Sequence, residues 1–237
     1  FTRWQNKAKE EIATYKKGGH PKALIGELSE SLLQRFRATS LIDEYEVYQH
    51  LMDYWAETMQ DDAYLISAEG WVAKPERIVE TSKSGKTKDK GWYCDLVPKQ
   101  FIVARYFSKE QAALDAKLAE LEAAGAALAE LEEEHGGEEG YLGALDKIAK
   151  AEVKARLKEI KGDKEAKEEI SVLQSWLELA EDETELKRTV KELDAALDQM
   201  AYMKYPKLKE AEIRELVVDD KWLAHLSNAM QGELDRV

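Results

Sequence analysis

Apolar side chains recur every three or four positions along most of this chain, which is the spacing of one face of a helix. The pattern predicts a helix over residues 22–37 and another over about 42–59, where Asp43 and Glu46 form a capping-box-like start. Further helices are predicted up to His135, over about 141–160, from about 164 to 203, and over about 209–216 and 219–237. Helix is therefore the dominant structure that we expect.

Two of these predicted helices carry a heptad repeat, in which apolar residues step alternately by four and by three. We call the two repeats the heptad seams; their leucine and valine positions are Leu114, Leu118, Leu121, Leu128, Leu186, Val190, Leu193 and Leu197. Such seams predict a helical bundle or an antiparallel coiled-coil arm. The seams could close within the chain or on a partner, so these eight residues are also candidates for a subunit interface.

A different pattern occupies residues 63–97. Residues 77–80 and 92–97 are rich in β-branched and aromatic side chains, and the polar segment between them contains glycine, which together predict a small antiparallel hairpin. The loop of this hairpin carries the lysines Lys83, Lys86, Lys88 and Lys90. These lysines could contact DNA phosphates, with Trp92 and Tyr93 stacking on bases. The alternative is an exposed hairpin tip with no ligand.

Charge divides the chain into two parts. Residues 1–108 hold sixteen basic and sixteen acidic side chains, whereas residues 109–237 hold nineteen basic and thirty-two acidic ones, so the whole net charge of -13 lies in the second part. An acidic surface repels the phosphate backbone of DNA, so any DNA contact is expected before residue 109. We predict a mainly α fold with a small antiparallel β-hairpin, divided into a mixed segment 1–108 and an acidic helical domain 109–237.

The sequence contains no recognisable catalytic, cofactor-binding or metal-binding motif. Its four histidines are scattered and Cys94 is its one cysteine, which argues against a zinc site and fits a reducing compartment. We interpret the His50–Asp53 pair as exposed helical neighbours and Asp61 and Asp62 as solvated or capping carboxylates. No apolar run is long enough to span a bilayer, and a cytoplasmic location is expected.

Five stretches of the chain resemble one protein family. Residues 41–62 read LIDEYEVYQHLMDYWAETMQDD and residues 90–99 read KGWYCDLVPK; residues 102–107, 157–163 and 216–223 resemble the same family. In all of them the chain is similar to the methylation subunit of type I restriction–modification enzymes, in the region that follows the methyltransferase core. The resemblance extends over nearly the whole chain.

The resemblance implies both a chemistry and an assembly. Such subunits transfer a methyl group from S-adenosylmethionine to adenine N6 in DNA, and they assemble with a specificity subunit and a restriction subunit. Their Gly-rich cofactor turn is missing here, and their Asn-Pro-Pro motif is missing too, because Lys7 follows Asn6 and Ala229 follows Asn228, the two asparagines of the chain. We therefore expect a C-terminal fragment, cut at both ends, without a catalytic centre or a cofactor of its own.

The role that the resemblance implies is assembly. We expect residues 109–237 to dock on helices of the specificity subunit and thereby to help hold the adenine methyltransferase on DNA. Direct contact of the lysine loop, residues 83–90, with the DNA backbone is the alternative. Methylation of DNA by this chain alone is not expected.

Overall fold

The computed structural model describes residues 2–37, 43–82, 85, 87–138 and 140–235. Its helices are α1 (Thr2–Ala13), α2 (Pro21–Phe36), α3 (Glu44–Tyr54), α4 (Gln60–Glu69), α5 (Lys99–Tyr106), α6 (Ser108–His135), α7 (Lys150–Glu159), α8 (Lys167–Lys204), α9 (Glu210–Arg214) and α10 (Ala224–Leu234). Two strands, β1 (Glu76–Thr81) and β2 (Thr87–Tyr93), form an antiparallel sheet. The predicted fold class, mainly α with a small antiparallel hairpin, is confirmed.

Contacts divide the chain into two compact units. The first combines Phe1–Tyr106 with Met200–Val237, and the second is Phe107–Gln199. The sequence-based division at residue 108 had assigned residues 200–237 to the acidic helical domain, so the structure groups this segment differently. The physical reason is an apolar surface on the C-terminal helices, including the fully buried Leu216 and Trp222, which packs on α1, α3 and α5 of the first unit.

One long helical segment organises the first unit. It starts at α3, where the side chain of Asp43 accepts a hydrogen bond from the backbone N–H of Tyr45 at 2.8 Å, as expected of an N-cap. It then continues through the π-helical turn Trp55–Met59 into α4. The prediction that residues 63–69 lie outside this helix was wrong, because Ala63 and Ile66 are completely buried and extend its apolar face.

The hairpin lies in the first unit and is shifted relative to the prediction. Its second strand covers residues 87–93 rather than 92–97, so part of the predicted loop is strand. Two cross-strand ion pairs accompany the shifted strand, since Arg77 contacts Asp89 at 3.1 Å and Lys90 contacts Glu80 at 3.0 Å. A bulge between Arg77 and Val79 interrupts the pairing.

The second unit pairs α6 with α8 in antiparallel orientation. The indole Nε1 of Trp176 donates to Glu132 Oε1 at 2.8 Å, and a Cβ added at Gly125 would lie 3.8 Å from Glu183 Oε1. A higher residue number on α6 thus meets a lower one on α8. The core of this unit consists of Leu142, Val153, Ile160, Leu173, Trp176 and Ala180. The seam residue Leu128 packs against this core, so part of the heptad pattern is closed within the chain.

The predicted helix over residues 141–160 is much shorter in the structure, where α7 starts at Lys150. The preceding residues form turns, because the backbone N–H groups of Leu142 and Gly143 both donate to the carbonyl of His135, at 2.9 and 3.0 Å. A Cβ at Gly143 would lie 2.0 Å from the carbonyl oxygen of Gly137, so this close approach requires glycine. The fold of the turn therefore overrides the helical periodicity.

Candidate functional site

The most unusual polar feature of the first unit is a buried ion pair between Asp62 of α4 and Lys221. The Lys221 ammonium donates to Asp62 Oδ1 at 2.8 Å, and the two side chains are only 5% and 8% exposed. The indole Nε1 of Trp222 donates to the other carboxylate oxygen, Oδ2, also at 2.8 Å. The buried carboxylate thus accepts hydrogen bonds from both Lys221 and Trp222.

Lys221 has an acceptor for every ammonium proton. Besides Asp62, its Nζ donates to the backbone carbonyls of Asp95 and Leu96, both at 3.1 Å, and an ammonium group has three donors. The Tyr54 hydroxyl also donates to the backbone carbonyl of Lys221 at 3.1 Å. All three donors of the Lys221 ammonium are therefore used within the protein, which is the arrangement expected of an ion pair that stabilises the fold.

Local backbone geometry accompanies the ion pair. Lys221 and Trp222 lie in the π-helical segment Glu215–Leu223, which joins α9 to α10, and Asp62 follows the π-helical turn Trp55–Met59. Both side chains from adjacent positions of that segment reach the same carboxylate. π-helical turns are frequent at functional sites. Lys221 and Trp222 of the π-helical segment, together with Asp62, Asp95 and Leu96, form a cluster that we call the ion-pair cluster.

Burial perturbs the acidity of the ion-pair cluster and its surroundings. Desolvation raises the pKa of Asp62, and the charge of Lys221 with the hydrogen bonds from Lys221 and Trp222 opposes part of that rise. Burial also raises the pKa of the Tyr54 hydroxyl and of the Cys94 thiol. A thiol in this state is a packing group rather than a nucleophile.

The interpretation of Asp62 as a solvated or capping carboxylate was wrong. A signal for its burial was present in the sequence, because Val47, Leu51, Met59 and Ile66 define an apolar face on which position 62 also falls. Its partner gave no such signal. Lys221 is separated from Asp62 by 159 positions, and nothing in the local pattern links the two.

Two adjoining clefts lie beside the ion-pair cluster. The first has a volume of about 600 Å³ and is lined by residues that include Glu57, Asp61, Tyr64 and Lys221. The second, of about 110 Å³, is lined by residues that include Val72 and Tyr93, and it shares Leu65 and Asp95 with the first. Together they form one surface, which we call the acidic groove.

The predicted DNA-contacting lysines have mixed positions. Lys83 and Lys86 lie outside the described residues. Lys88 and Lys90 are in β2, where Lys88 is exposed and Lys90 forms its ion pair with Glu80. Contact of these lysines with DNA stays a prediction.

The aromatic residues predicted to stack on bases are engaged by neighbours. Trp92 makes edge contacts with Tyr202 and Tyr205, with ring centroids 5.5 and 5.3 Å apart. The hydroxyl of Tyr93, a residue 42% exposed, donates to Glu76 at 3.0 Å. Trp92 therefore belongs to the packing of the first unit.

The heptad seams also have mixed exposure. Leu114 and Leu197 are buried, at 5% and 2% exposure, whereas Leu118 is 44% exposed. The remaining positions are half-buried; they are Leu121, Leu128, Leu186, Val190 and Leu193. Leu118 is therefore the seam residue with most apolar surface left for a partner.

Within the parts of the chain that the structure describes, no group of three or more His, Cys, Asp and Glu side chains could hold a metal ion. No helix among those residues combines the length and the apolar character needed to cross a bilayer. His50 and Asp53 are on α3 as predicted, and Asp53 accepts a hydrogen bond from Gln49 at 2.6 Å.

Comparison of the chain with known protein families, curated proteins and solved structures finds no match.

Proposed function

We propose that this chain is a non-catalytic C-terminal part of the methylation subunit of a type I restriction–modification enzyme, and that it serves subunit assembly. Its partners would be the specificity and restriction subunits, and through the full complex it would help position the adenine methyltransferase on DNA. No step of methyl transfer is assigned to its residues, because the Gly-rich turn and the Asn-Pro-Pro motif are missing from the sequence.

The observation that carries the proposal is the convergence of the family-like stretches. Asp62 belongs to residues 41–62, Asp95 and Leu96 to residues 90–99, and Lys221 and Trp222 to residues 216–223, and these five residues form the ion-pair cluster. Stretches that resemble one family, although far apart in sequence, thus depend on one another for burial. This supports the interpretation that they derive from a single folded module.

The helical second unit supports the assembly role. At 1.5 Å per residue, the 28 residues of α6 extend over about 42 Å. Of the residues that the structure describes in this long helix, Leu114 alone is buried. Several of its other leucines, including Leu121 and Leu128, are half-buried, so part of their apolar surface is open to another helix. Leu118, at 44% exposure, is the clearest apolar position of this kind on α6.

Co-purification with the specificity subunit of a type I system tests the proposal. We expect the wild-type chain to be retained and Leu118→Lys to weaken retention, because a charge is placed on an apolar contact. Ile148→Lys is the matched control, since Ile148 is an exposed apolar residue (38%) outside the seams. Equal retention of Leu118→Lys and Ile148→Lys, with helicity unchanged in circular dichroism, would refute the predicted contact, and failure of the wild-type chain to bind would refute the function.

Contact of the lysine loop with the DNA backbone is the second candidate. Lys88 favours it, because its side chain is exposed and forms no ion pair among the described residues. We expect replacement of Lys83, Lys86, Lys88 and Lys90 by alanine to reduce duplex affinity at low salt, with a smaller dependence on salt concentration. Unchanged affinity would exclude this candidate.

A further inference from the structure

Among the described residues that line it, the acidic groove has an excess of negative charge. Its two clefts are lined by six carboxylates and two lysines, and one of those lysines is already paired with Asp62. Glu57, Asp61, Glu69 and Asp95 have no ion pair with any described lysine or arginine. The groove therefore attracts positive charge from outside the chain.

Apolar and aromatic side chains are exposed along the same groove. Tyr64 is 50% exposed, Val72 is 49% exposed and Tyr93 is 42% exposed. Leu65, which is half-buried, lies in the wall that the two clefts share. Exposed aromatic residues among carboxylates can hold arginine or lysine through cation–π contact as well as through charge.

The distribution of these groups selects the kind of ligand. A metal ion needs several carboxylates around one point, and the described part of the chain has no such group. Nucleic acid would be repelled by the carboxylates. Several cationic side chains in succession, with apolar residues between them, match both the spread of charge and the exposed aromatic surface.

We propose that the acidic groove docks a lysine- or arginine-rich segment of a partner protein, with apolar residues of that segment against Tyr64, Leu65 and Val72. Charge complementarity is the argument for this occupant. The surface lies within the first unit, and its role does not depend on the assembly contact proposed for Leu118. Binding is therefore expected to be salt-sensitive.

Selection from a display library of random 12-residue peptides tests this proposal on the whole 237-residue chain. We expect the wild-type chain to enrich peptides in which Lys or Arg alternates with apolar residues. The groove variant, Glu57→Gln with Asp61→Asn and Asp95→Asn, should not enrich them. A synthetic copy of an enriched peptide should bind the groove variant at least about tenfold more weakly than wild type, since three ion pairs are lost.

A matched control removes the same charge elsewhere. Glu122→Gln, Glu130→Gln and Glu133→Gln lie on exposed positions of α6 and should leave peptide affinity unchanged. Tyr64→Ala, which keeps every charge, should weaken binding of the same peptide and leave its salt dependence intact. Equal weakening by the groove and control variants would overturn the proposal, and so would wild-type enrichment of peptides without Lys and Arg. Self-association of the chain that the groove variant abolishes, without any peptide binding, would overturn it in favour of a second copy.

Discussion

Replacement of Lys221 by methionine isolates the contribution of the ion-pair cluster to stability. Methionine fills much of the volume of the lysine side chain but supplies no charge and no donor. The Asp62 carboxylate would keep Trp222 as its one remaining donor, and the carbonyls of Asp95 and Leu96 would lose theirs. An almost fully buried carboxylate would then be without a counter-charge.

The expected loss follows from the burial of the pair. Because the Asp62 and Lys221 side chains are 5% and 8% exposed, removal of one partner should cost about 3–5 kcal/mol of unfolding free energy. The matched control is Lys9→Met, which removes a surface pair with Asp219 whose side chains are 46% and 35% exposed. That control should cost less than about 1 kcal/mol.

A double-mutant cycle separates the lost pairing from lost packing. Asp62→Asn keeps an oxygen that can accept from Trp222 but carries no charge, so it removes the uncompensated carboxylate that Lys221→Met creates. We expect the double variant to be more stable than the sum of the single changes predicts, with a coupling of at least about 1 kcal/mol.

The pH dependence provides an independent check. Burial raises the pKa of Asp62 and Lys221 opposes the rise, so removal of Lys221 should raise that pKa further. A carboxyl whose pKa is raised in the folded state contributes stability when protonated, and that stability is lost as pH rises through the folded pKa. The deficit of Lys221→Met relative to wild type should therefore be larger at neutral pH than at mildly acidic pH.

Urea unfolding followed by tryptophan fluorescence is a suitable assay, because five of the six tryptophans, all except Trp176, lie in the first unit. A loss below about 1 kcal/mol for Lys221→Met, equal to that of Lys9→Met, would refute the reasoning. So would strictly additive changes in the cycle.

Three further predictions concern other parts of the molecule. Hydrogen bonds, first from the Lys209 backbone and then from Lys204 and Tyr106, lower the pKa of Glu212 from 4.5 to about 2, so its contribution to stability should be present above pH 4.5 and be lost as pH falls towards 2. Acid titrations of stability should therefore be less steep in that range for Glu212→Gln, and an unchanged slope would contradict the assignment. Leu173→Ala, in the core of the second unit, should lower the free energy of unfolding by about 2–5 kcal/mol, whereas Leu118→Ala should lower it by less than about 1 kcal/mol. Thermal unfolding followed by circular dichroism compares the two variants. Equal losses of stability would be inconsistent with the observed packing. Cys94 is buried with a raised pKa, so a thiol reagent should label it much more slowly in the native chain than in urea, and equal rates would show that it is accessible.

Local features of the fold could be read from the sequence because the residues that cause them are close together. The apolar stripe and the Asp43 cap defined the start of α3, and β-branched residues beside a polar, glycine-containing loop indicated the hairpin. The heptad steps predicted a helical bundle or an antiparallel coiled-coil arm, and in the structure α6 and α8 lie antiparallel, as the contact of Trp176 with Glu132 shows. Each of these depends on interactions over a few positions or on one repeated period.

The tertiary structure decided the features that depend on distant residues. Asp62 is buried because it pairs with Lys221, which is 159 positions away in the sequence. Residues 200–237 belong to the first unit because their apolar surface packs on helices of that unit. The sequence by itself determined a helical, acidic chain with a hairpin and without an Asn-Pro-Pro motif. Only the tertiary structure brought Asp62 into contact with Lys221 and left Tyr64 exposed beside the carboxylates of the acidic groove. The physical reason is that the periodicity of a sequence specifies which face of a helix or strand is apolar, but it does not specify which other surface of the protein covers that face.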